Sequence, residues 1–235
     1  MSVAGKLVVI AGATSASGLA AARLLRDAGA RVVAVGRSAD KVHELSASLG
    51  SEVGSVRTEV CDLTEESAVT ALAERVHDAD GAVDGVLHLI GGWRGGGGLA
   101  GQSEADFRFL EQSFTALRHI SREFDADLRA SAAGRLAVVS TTAVARPLAG
   151  GANYAAVKAA TEAWARAVAQ GFAKHARDAE RPLAAASVIF RVNSLSGLEE
   201  SLARRFADLW MAPASKLNDT IIELSDHVQP EIGHP

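Results

Sequence analysis

Residues 6–19, Lys-Leu-Val-Val-Ile-Ala-Gly-Ala-Thr-Ser-Ala-Ser-Gly-Leu, carry the pattern that decides the fold. The apolar, β-branched run at residues 6–11 is typical of a buried strand, and Gly12 ends it. Over residues 17–28 the apolar side chains recur at helical spacing, and Gly29 ends this segment as a C-terminal glycine does. The sequence therefore predicts a strand, a glycine-rich turn and a helix in succession.

The same alternation of strands and helices continues along the rest of the chain. Short apolar runs without polar alternation indicate strands that are buried on both faces, as in a parallel sheet covered by helices. The predicted strands are residues 6–11, 31–35, 55–60, 83–90, 135–140, 184–192 and 220–224. The predicted helices are residues 17–28, 41–48, 64–78 with Thr64 as the N-cap, 104–129 with one break, 154–174 and 198–210. No composition shift or internal repeat divides the chain, so we predict one α/β domain over residues 1–235: a doubly wound, seven-stranded parallel sheet with helices on both faces.

Composition excludes several classes of protein. Of the 235 residues 48% are hydrophobic and 22% are charged, which is ordinary for a globular protein. The net charge is −4 with no basic stripe, so we expect neither a nucleic-acid partner nor a membrane partner. The single cysteine, Cys61, excludes an intrachain disulfide, and the seven histidines lack metal-ligand spacing, so we expect no metal.

The longest uncharged stretch near the start, residues 7–22, is too short to span a bilayer as a helix. It also lacks the charged leader and the small-residue cleavage pattern of a signal peptide. We therefore expect a cytoplasmic location.

Ligands of a doubly wound sheet bind beyond the carboxyl ends of the strands, so the turn from Gly12 to Gly18 is the first candidate site. Backbone N–H groups and the positive end of the following helix can face a pyrophosphate there. Ala16 stands where the common pattern has its middle glycine. Hydroxyl side chains that can add donors are Thr14, Ser15 and Ser17. The alternative is a tight turn that binds nothing.

The second strand ends in Val35-Gly36-Arg37. NAD-binding proteins usually carry an acid at this place, where it accepts hydrogen bonds from the ribose hydroxyls. Arg37 can instead form a fork with a 2′-phosphate, which favours NADP(H) and leaves NAD(H) open, unless Arg37 is only a solvated surface residue. Asp62, after the third strand, can accept from the adenine amino group or serve the entry of the next helix.

Tyr154 is the only tyrosine, and Lys158 follows it by one helical turn, so both side chains share one face. A free phenol has a pKa near 10. An ammonium about 4 Å away at an effective dielectric constant of about 20 would lower that pKa by about 3 units, to a value suited to proton exchange near neutral pH. The alternative is a packed tyrosine beside an exposed lysine.

The Gly12–Gly18 turn, Asp62-Leu63 and Tyr154-Ala-Ala-Val-Lys158 on a long helix resemble the short-chain dehydrogenase/reductase family over essentially the whole chain. The resemblance implies a Rossmann-type fold. It also implies an NADP(H)-dependent oxidoreductase that transfers a hydride between nicotinamide and a carbonyl or secondary alcohol of a small-molecule substrate. In that reading Tyr154 is the catalytic acid/base, and Lys158 lowers its pKa and holds the nicotinamide ribose.

The resemblance implies two further catalytic positions at which this chain departs from the family. The family's serine lies thirteen residues before the tyrosine, where this sequence has Thr141; Ser140, which faces the other way in a strand, and Thr142 are alternatives. The family's helical asparagine, part of a proton relay to the lysine, corresponds to Ser113.

The usual Asn-Asn-Ala-Gly of the family reads His88-Leu-Ile-Gly91 here, which leaves only backbone contacts to the cofactor at its end. His88 is predicted to be a satisfied core group. The predicted cofactor-binding residues are Gly12, Thr14, Ser15, Ala16, Ser17, Gly18, Leu19, Arg37, Asp62, Leu63, Ile90, Gly91, Tyr154 and Lys158.

Two segments are predicted to touch the substrate, residues 91–103 and 193–217. In the first, Trp93 can stack on a flat substrate, Arg94 can meet an anionic group, and the glycine run predicts a mobile lid, or else only a floppy connector. The second is either a lid or part of the core. Gly91-Gly-Trp-Arg-Gly-Gly96 and Gln112-Ser-Phe114 resemble the dihydropteridine reductase branch of the family, so a pterin is a minor substrate option.

The resemblance also implies a homodimer or homotetramer built on the two long helices. The aromatic side chains predicted to supply that interface are Phe107, Phe114, Trp164 and Phe172. The departures at Ala16, Ser113 and Thr141 keep an alternative function open, namely a catalytically impaired NADP-binding regulatory or scaffold protein.

Overall fold

A computed structural model of the chain describes residues 2–50 and 56–225. Seven parallel strands form one sheet in the order β3-β2-β1-β4-β5-β6-β7. The strands are β1 Leu7–Ala11, β2 Arg31–Gly36, β3 Val56–Val60, β4 Gly85–His88, β5 Arg135–Thr141, β6 Ala186–Val192 and β7 Thr220–Glu223. The helices are α1 Ala16–Asp27, α2 Ala39–Leu49, α3 Glu66–Asp80, α4 Glu104–Glu123, α5 Asp125–Ala130, α6 Ala152–Asp178, α7 Glu199–Ala207 and α8 Ala214–Leu217. The predicted fold class is confirmed.

The central strand β1 pairs with β2 on one side and with β4 on the other, so the strand order reverses beside it. Its residues alternate between two buried clusters, because successive side chains of a strand point to opposite faces. Val8 and Ile10 lie in the cluster that includes α1 and α7, whereas Val9 and Ala11 lie in the cluster that includes α3 and α4. The crevice at the carboxyl ends of β1 and β4 is therefore the expected ligand site.

Several predicted ends of strands and helices were wrong. The strand predicted over residues 83–90 is shorter, Gly85–His88, and the helix predicted over residues 198–210 ends at Ala207, followed by a 3₁₀ turn. The short helix α8 was not predicted. Thr64 is not an N-cap: its N–H and its hydroxyl both donate to the carboxylate of Asp62, and α3 begins only at Glu66. Ser55, the predicted first residue of β3, lies outside the described residues.

Gly18 allows α1 to begin close to the loop that leaves β1. A Cβ atom at this position would overlap the backbone carbonyl of Ala13. Gly18 and the adjacent Ser17 are buried in this contact. The glycine therefore serves the packing of the helix against the loop.

A buried ion pair fixes the long helix α6 to the sheet. Glu162 accepts two hydrogen bonds from the guanidinium of Arg191 on β6, at 2.8 Å and 2.6 Å. Burial by itself would raise the pKa of Glu162, but the hydrogen bonds and the charge of Arg191 hold that pKa below its usual value. The pair lies one helical turn beyond Lys158 and orients the helix that carries Tyr154.

We expect Glu162→Gln to lower the free energy of unfolding at pH 7 by about 2 kcal/mol, because the variant leaves Arg191 without its carboxylate. The folded-state pKa of Glu162 lies below the unfolded value. Its stabilising contribution is therefore present above the unfolded value and is lost as the pH falls through the folded one. Urea unfolding should show a clear difference between wild type and variant at pH 7, and this difference should shrink steadily as the pH falls below about 5. A difference that does not change with pH would contradict this role of the ion pair.

The prediction that Phe172 supplies a subunit interface is wrong. Phe172 is 1% exposed and belongs to the core. Phe114 and Trp164 are half-buried and pack edge to face against each other, with ring centroids 6.1 Å apart. The oligomeric state stays a prediction.

Candidate active site

A cavity of about 470 Å³ opens beyond the carboxyl ends of β1, β2, β3 and β4. It lies where the reversal of strand order predicts a ligand site. Predicted site residues that line it are Gly12, Thr14, Ser15, Arg37, Asp62, Leu63, Ile90, Gly91 and Ser113. Lining residues that the sequence reasoning missed include Ser38, Lys41, Phe109 and Gln112. They belong to α2 and α4 or to their entries, so only the tertiary fold brings them to the cavity.

The turn after β1 presents backbone more than side chains to the cavity. Ser15 is the N-cap of α1: its hydroxyl accepts from the N–H of Gly18 and donates to the carbonyl of Gly12. The Ser15 hydroxyl was predicted to add a donor for a ligand, and in the protein without ligands its proton is donated to the Gly12 carbonyl. The helix geometry leaves the first N–H groups of α1, at Ala16 and Ser17, without intrahelical partners. Such groups, at the positive end of a helix, suit an anion.

Six predicted cofactor contacts are not among the residues that line the cavity: Ala16, Ser17, Gly18, Leu19, Tyr154 and Lys158. Ser17 and Gly18 are buried where α1 packs against the preceding loop. Leu19 packs against the hydrophobic core on the α1 face of the sheet. Any contact that Ser17, Gly18 and Leu19 make with a ligand would be through their backbone.

Cations gather where β2 ends. Arg37 and Lys41 line the cavity beside Ser38, which is the N-cap of α2. Arg37 donates to the side-chain oxygen of Gln112 at 3.3 Å, and it faces the solvent on its other side. Gly36 leaves no room for an acid, because a Cβ atom there would lie 2.6 Å from Thr14 Cγ2 and 2.9 Å from Val42 Cγ2.

Asp62 has a structural role before the next helix, which was the alternative to an adenine contact. Its carboxylate accepts from the N–H of Thr64 at 2.9 Å and from the hydroxyl at 2.7 Å, and these bonds lower its pKa. Asp62 also lines the cavity, so the turn holds a carboxylate at the cavity wall. Burial raises the pKa of the neighbouring Cys61 to about 11, so this thiol is not a nucleophile near neutral pH.

Tyr154 and Lys158 lie on one face of α6, as predicted. Burial raises the pKa of Tyr154, and a hydrogen bond with the Thr141 side chain partly offsets this rise. The Lys158 Nζ lies 6.0 Å from the centroid of the tyrosine ring and donates to the backbone carbonyl of Val139 at 2.8 Å. Burial lowers the pKa of Lys158 to about 8.

These contacts correct the predicted electrostatics of the pair. In the protein without ligands, the ammonium is held by a β5 carbonyl and burial dominates the pKa of the phenol. The predicted fall of the Tyr154 pKa towards neutral pH is therefore not present in this state.

The three candidate hydroxyls at the end of β5 differ in their surroundings. Thr141 is buried, its side chain lowers the pKa of Tyr154, and its hydroxyl accepts from the N–H of Ala143 at 3.2 Å. Ser140 is buried on the opposite face of the strand, toward Glu162. Thr142 is exposed in the following 3₁₀ turn. Of the three, the structure brings Thr141 to the tyrosine.

Ser113 does not offer a free proton to Lys158. Its hydroxyl donates to the Leu110 carbonyl at 2.7 Å, within α4, and its own carbonyl lies 3.0 Å from Nε2 of His88. The relay that the family resemblance implied at this position is not formed by the Ser113 hydroxyl. His88 is only partly satisfied, because its Nδ1 is buried without a partner in the described chain.

A single side chain, Gln102, ties the two loops that flank Tyr154. Its amide nitrogen donates to the carbonyls of Gly96, Gly98 and Gly150, and its oxygen accepts from the N–H of Asn153 at 3.1 Å. The N–H of Gly96 also donates to the Gly150 carbonyl at 2.7 Å. The glycine-rich loop is thus bound to the start of α6 and is not a free connector.

We expect Gln102→Leu to release the loop at residues 91–103. The variant keeps the approximate size of the side chain and removes all the hydrogen bonds that the Gln102 side chain makes. Limited proteolysis should cut this loop at least about 10-fold faster than in wild type, because the fraction of open loop rises when about 1.5 kcal/mol of hydrogen bonding is lost. The control is Gln170→Leu on the exposed side of α6. An unchanged rate in Gln102→Leu would show that the loop is held by other contacts.

The side chains predicted to touch the substrate have mixed surroundings. Trp93 is 61% exposed at the edge of the loop, with its ring beside Gly95. Arg94 stacks on the Phe109 ring at 4.0 Å and is also 4.0 Å from Asp106, so its charge is partly engaged. In the second predicted segment Leu198 and Phe206 are buried, which favours a core role for α7.

Residues 2–50 and 56–225 contain neither a candidate metal site nor a helix that could span a membrane. No group of three or more His, Cys, Asp or Glu side chains is placed to hold a metal ion. No helix in this part is both long and apolar enough to cross a membrane.

Comparisons with known proteins identify the family and the fold of this chain. Residues 6–176 match the model of a family described as short chain dehydrogenase. D-threitol dehydrogenase from Mycolicibacterium smegmatis is 33% identical over 87 residues, which are 37% of this chain and 34% of that protein. The first curated relatives are matched over only about a third of their own length.

Solved structures share the fold over nearly the whole chain. A metagenomic short-chain oxidoreductase in complex with NADP superposes with a TM-score of 0.81 at 24% identity, covering 96% of this chain and 99% of that one. A short chain oxidoreductase from Pseudomonas aeruginosa PAO1, solved with NADPH and described as having an atypical catalytic center, gives a TM-score of 0.80 at 19% identity, covering 95% and 98%. The family match over residues 6–176 is decisive: this chain belongs to the short chain dehydrogenase family.

Proposed function

We propose that the protein is an NADP(H)-dependent oxidoreductase that interconverts a carbonyl and a secondary alcohol, with Tyr154 as the acid/base. The observation that carries the proposal is that the cavity reaches Lys158, whose Nζ lies 6.0 Å from the centroid of the Tyr154 ring. Gly91 lines the cavity, and a Cβ atom at Gly91 would lie 3.6 Å from Nζ of Lys158, one turn from Tyr154. A dinucleotide in the cavity would therefore end beside the phenol.

The residues present fit such a cofactor. The cavity begins at the N-terminus of α1, a twelve-residue helix whose first N–H groups suit a pyrophosphate. It continues past the Arg37 and Lys41 cations, and it ends at Gly91, where the absence of a side chain leaves space next to Lys158. A bound nicotinamide would supply or accept the hydride.

The chain's own residues handle the proton. The Tyr154 phenol, kept protonated by burial, donates a hydrogen bond and then a proton to the substrate oxygen in the reductive direction. Thr141 orients this oxygen or the phenol through its hydroxyl. Lys158 provides a positive charge that stabilises the phenolate left after proton transfer.

The cations at the end of β2 support NADP(H) over NAD(H). Arg37 and Lys41 can pair with a 2′-phosphate, and a guanidinium forms two parallel bonds with such a group. At position 36 there is neither an acid nor room for one, so the acceptor that NAD-binding proteins use for the ribose is missing.

The proposal is tested with the whole chain in two steps. NADPH and NADH binding is measured by calorimetry, and turnover is then followed by NADPH absorbance with a panel of ketones, quinones and pterins. We expect NADPH to bind more tightly than NADH and at least one class of the panel to be reduced. Absence of binding of either nucleotide would overturn the proposal.

A second candidate function is a nucleotide-binding regulatory or scaffold protein without turnover. The observation that favours it is the state of the site: Lys158 is held by the Val139 carbonyl, and the Ser113 hydroxyl is turned to Leu110. Tight NADPH binding with no turnover across the whole panel would select this function. Assembly into a homodimer or homotetramer is a separate prediction, which sedimentation velocity measures.

A further inference from the structure

His88 is a buried imidazole close to the proposed reaction centre that the proposed chemistry does not use. It ends β4 and lies between Ala11 of β1 and Val138 of β5, with 3% of its surface exposed. Burial, and to a lesser degree the charge of Lys158, lower the pKa of His88 to about 3. The ring is therefore neutral near neutral pH.

The hydrogen bond of His88 defines which ring nitrogen carries the proton. Nε2 lies 3.0 Å from the Ser113 carbonyl oxygen, which can only accept, so the proton is on Nε2. Nδ1 then has a lone pair, and this atom is buried without a partner among residues 2–50 and 56–225. A buried acceptor without a donor costs free energy, so it calls for an explanation.

Lys158 is the nearby source of donors. An ammonium has three N–H groups, and in the described residues one of them is bonded, to the Val139 carbonyl. Lys158 is 8% exposed, so its remaining N–H groups have little access to bulk water. Val139 follows Val138, the β5 residue that pairs with His88 in the sheet, so the ammonium is bonded next to the strand position of His88. An unused lone pair and unused N–H donors thus lie in the same buried region.

We propose that His88 is a positioning residue for Lys158, acting through one ordered water molecule that accepts from the ammonium and donates to Nδ1 of the neutral imidazole. The inference rests on the proposed function, because that function makes Lys158 the cation beside Tyr154. A buried water of this kind satisfies polar groups that no side chain reaches. The bond favours the charged form of Lys158 and so opposes the effect of its burial.

Both polar groups of Ser113 are already engaged in this region: its carbonyl accepts from His88 and its hydroxyl donates to Leu110. Nδ1 of His88 is an acceptor there that has no partner among residues 2–50 and 56–225. The family pattern has Asn at the end of β4, where this chain has His88. In the proposed arrangement, His88 holds the water molecule beside Lys158.

The groups that can affect the titration of Lys158 are few. On its own helix, Tyr154 precedes it and Glu162 follows it by one turn, and Glu162 is bound to Arg191. On β4 the titratable neighbour is His88. From β5 the contact is the backbone carbonyl of Val139, and on α4 the residue bonded to His88 is the uncharged Ser113.

The first test needs no turnover. Long-range ¹H–¹⁵N spectra of the whole chain, labelled at histidine nitrogens, are recorded from about pH 6 to 9, and His88→Asn assigns the signal. We expect the Nε2–H form throughout, and an Nδ1 shift with a midpoint near the Lys158 pKa of about 8. This response should vanish in Lys158→Met. An Nδ1–H form, a ring that titrates near pH 6.5, or an unchanged response in Lys158→Met would overturn the inference, whether or not the protein turns over a substrate.

The second test separates positioning from mere packing. It uses whichever panel substrate the enzyme reduces and compares His88→Leu with His88→Asn. In His88→Leu the pH at which kcat falls on the alkaline side should be lower by about one unit. Above that pH, kcat should therefore be about 10-fold lower than in wild type. The KM for NADPH should change little, and His88→Asn should restore most of the limb. A loss of kcat that is equal at every pH would overturn the inference.

Discussion

Tyr154→Phe is expected to lower kcat for carbonyl reduction about 1,000-fold, because the variant removes the only acidic group that can reach the substrate oxygen from this face of α6. The phenylalanine ring fits the half-buried site, since only the hydroxyl and its bond with Thr141 are lost. The measurement is single-turnover oxidation of NADPH with a substrate found in the panel, which separates chemistry from product release.

Tyr154→Phe has two controls: the affinity of the variant for NADPH, and the activity of a second variant that is expected to have a smaller effect. The Kd for NADPH should stay within about 3-fold of wild type, because the phenol is not a phosphate or adenosine contact. Thr141→Val, which keeps the shape of the side chain and removes its hydroxyl, should lower kcat by a smaller factor, about 10–100-fold. Wild-type activity in Tyr154→Phe would remove the proposed mechanism, whatever the cavity binds.

The fold was predictable because its signals are local. The apolar run before Gly12, the helix that ends at Gly29 and the repeated alternation predict a parallel sheet, since strands buried on both faces need helices on both sides. One error fell where the apolar run of β4 passes into the wall of the ligand cavity. Leu89 still donates to the Ala11 carbonyl at 2.8 Å, but Leu89 and Ile90 line the cavity and lie beyond the end of β4.

The site was predictable only in part, because its remaining members come from distant elements. The one-turn spacing of Tyr154 and Lys158 predicts a shared face, and the structure shows it. The same spacing says nothing about which acceptor holds the ammonium, and the Val139 carbonyl, nineteen residues earlier, is set by the packing of α6 on β5. The Gln102 bonds to Gly150 and Asn153 likewise depend on two loops that meet only in the folded chain.

The pKa values show the same limit. A sequence argument can place a cation near a phenol, but burial acts on both groups at once: it raises the pKa of Tyr154 and lowers that of Lys158. With a pKa of about 8, Lys158 stays mostly protonated near neutral pH while the phenol is neutral, so the pair carries one positive charge in the protein without ligands. Burial of the same kind holds His88 neutral.

Arg37→Ala is expected to weaken NADPH binding about 30-fold and to leave NADH binding within about 3-fold of wild type. A charge-assisted bond from a guanidinium to a phosphate contributes about 2 kcal/mol, and NADH has no phosphate at this place. Arg37 is exposed and its one bond in the structure, to Gln112, is long at 3.3 Å, so the side chain is free to turn to a phosphate. Calorimetric titration with both nucleotides measures the ratio.

The control variant is Arg166→Ala, which removes the same charge from the exposed surface of α6, where the guanidinium pairs with Asp219. It should leave both affinities unchanged, and the NADPH affinity of wild type should fall with added salt more steeply than that of Arg37→Ala. Equal weakening of NADPH and NADH in Arg37→Ala would contradict a phosphate contact and indicate a role in shaping the cavity through Gln112. Introducing an acid at Gly36 should not convert the protein to NADH, because a side chain there collides with Thr14 and Val42. The preference for the phosphorylated cofactor would thus be set by packing behind the cavity wall as much as by the charge in front of it.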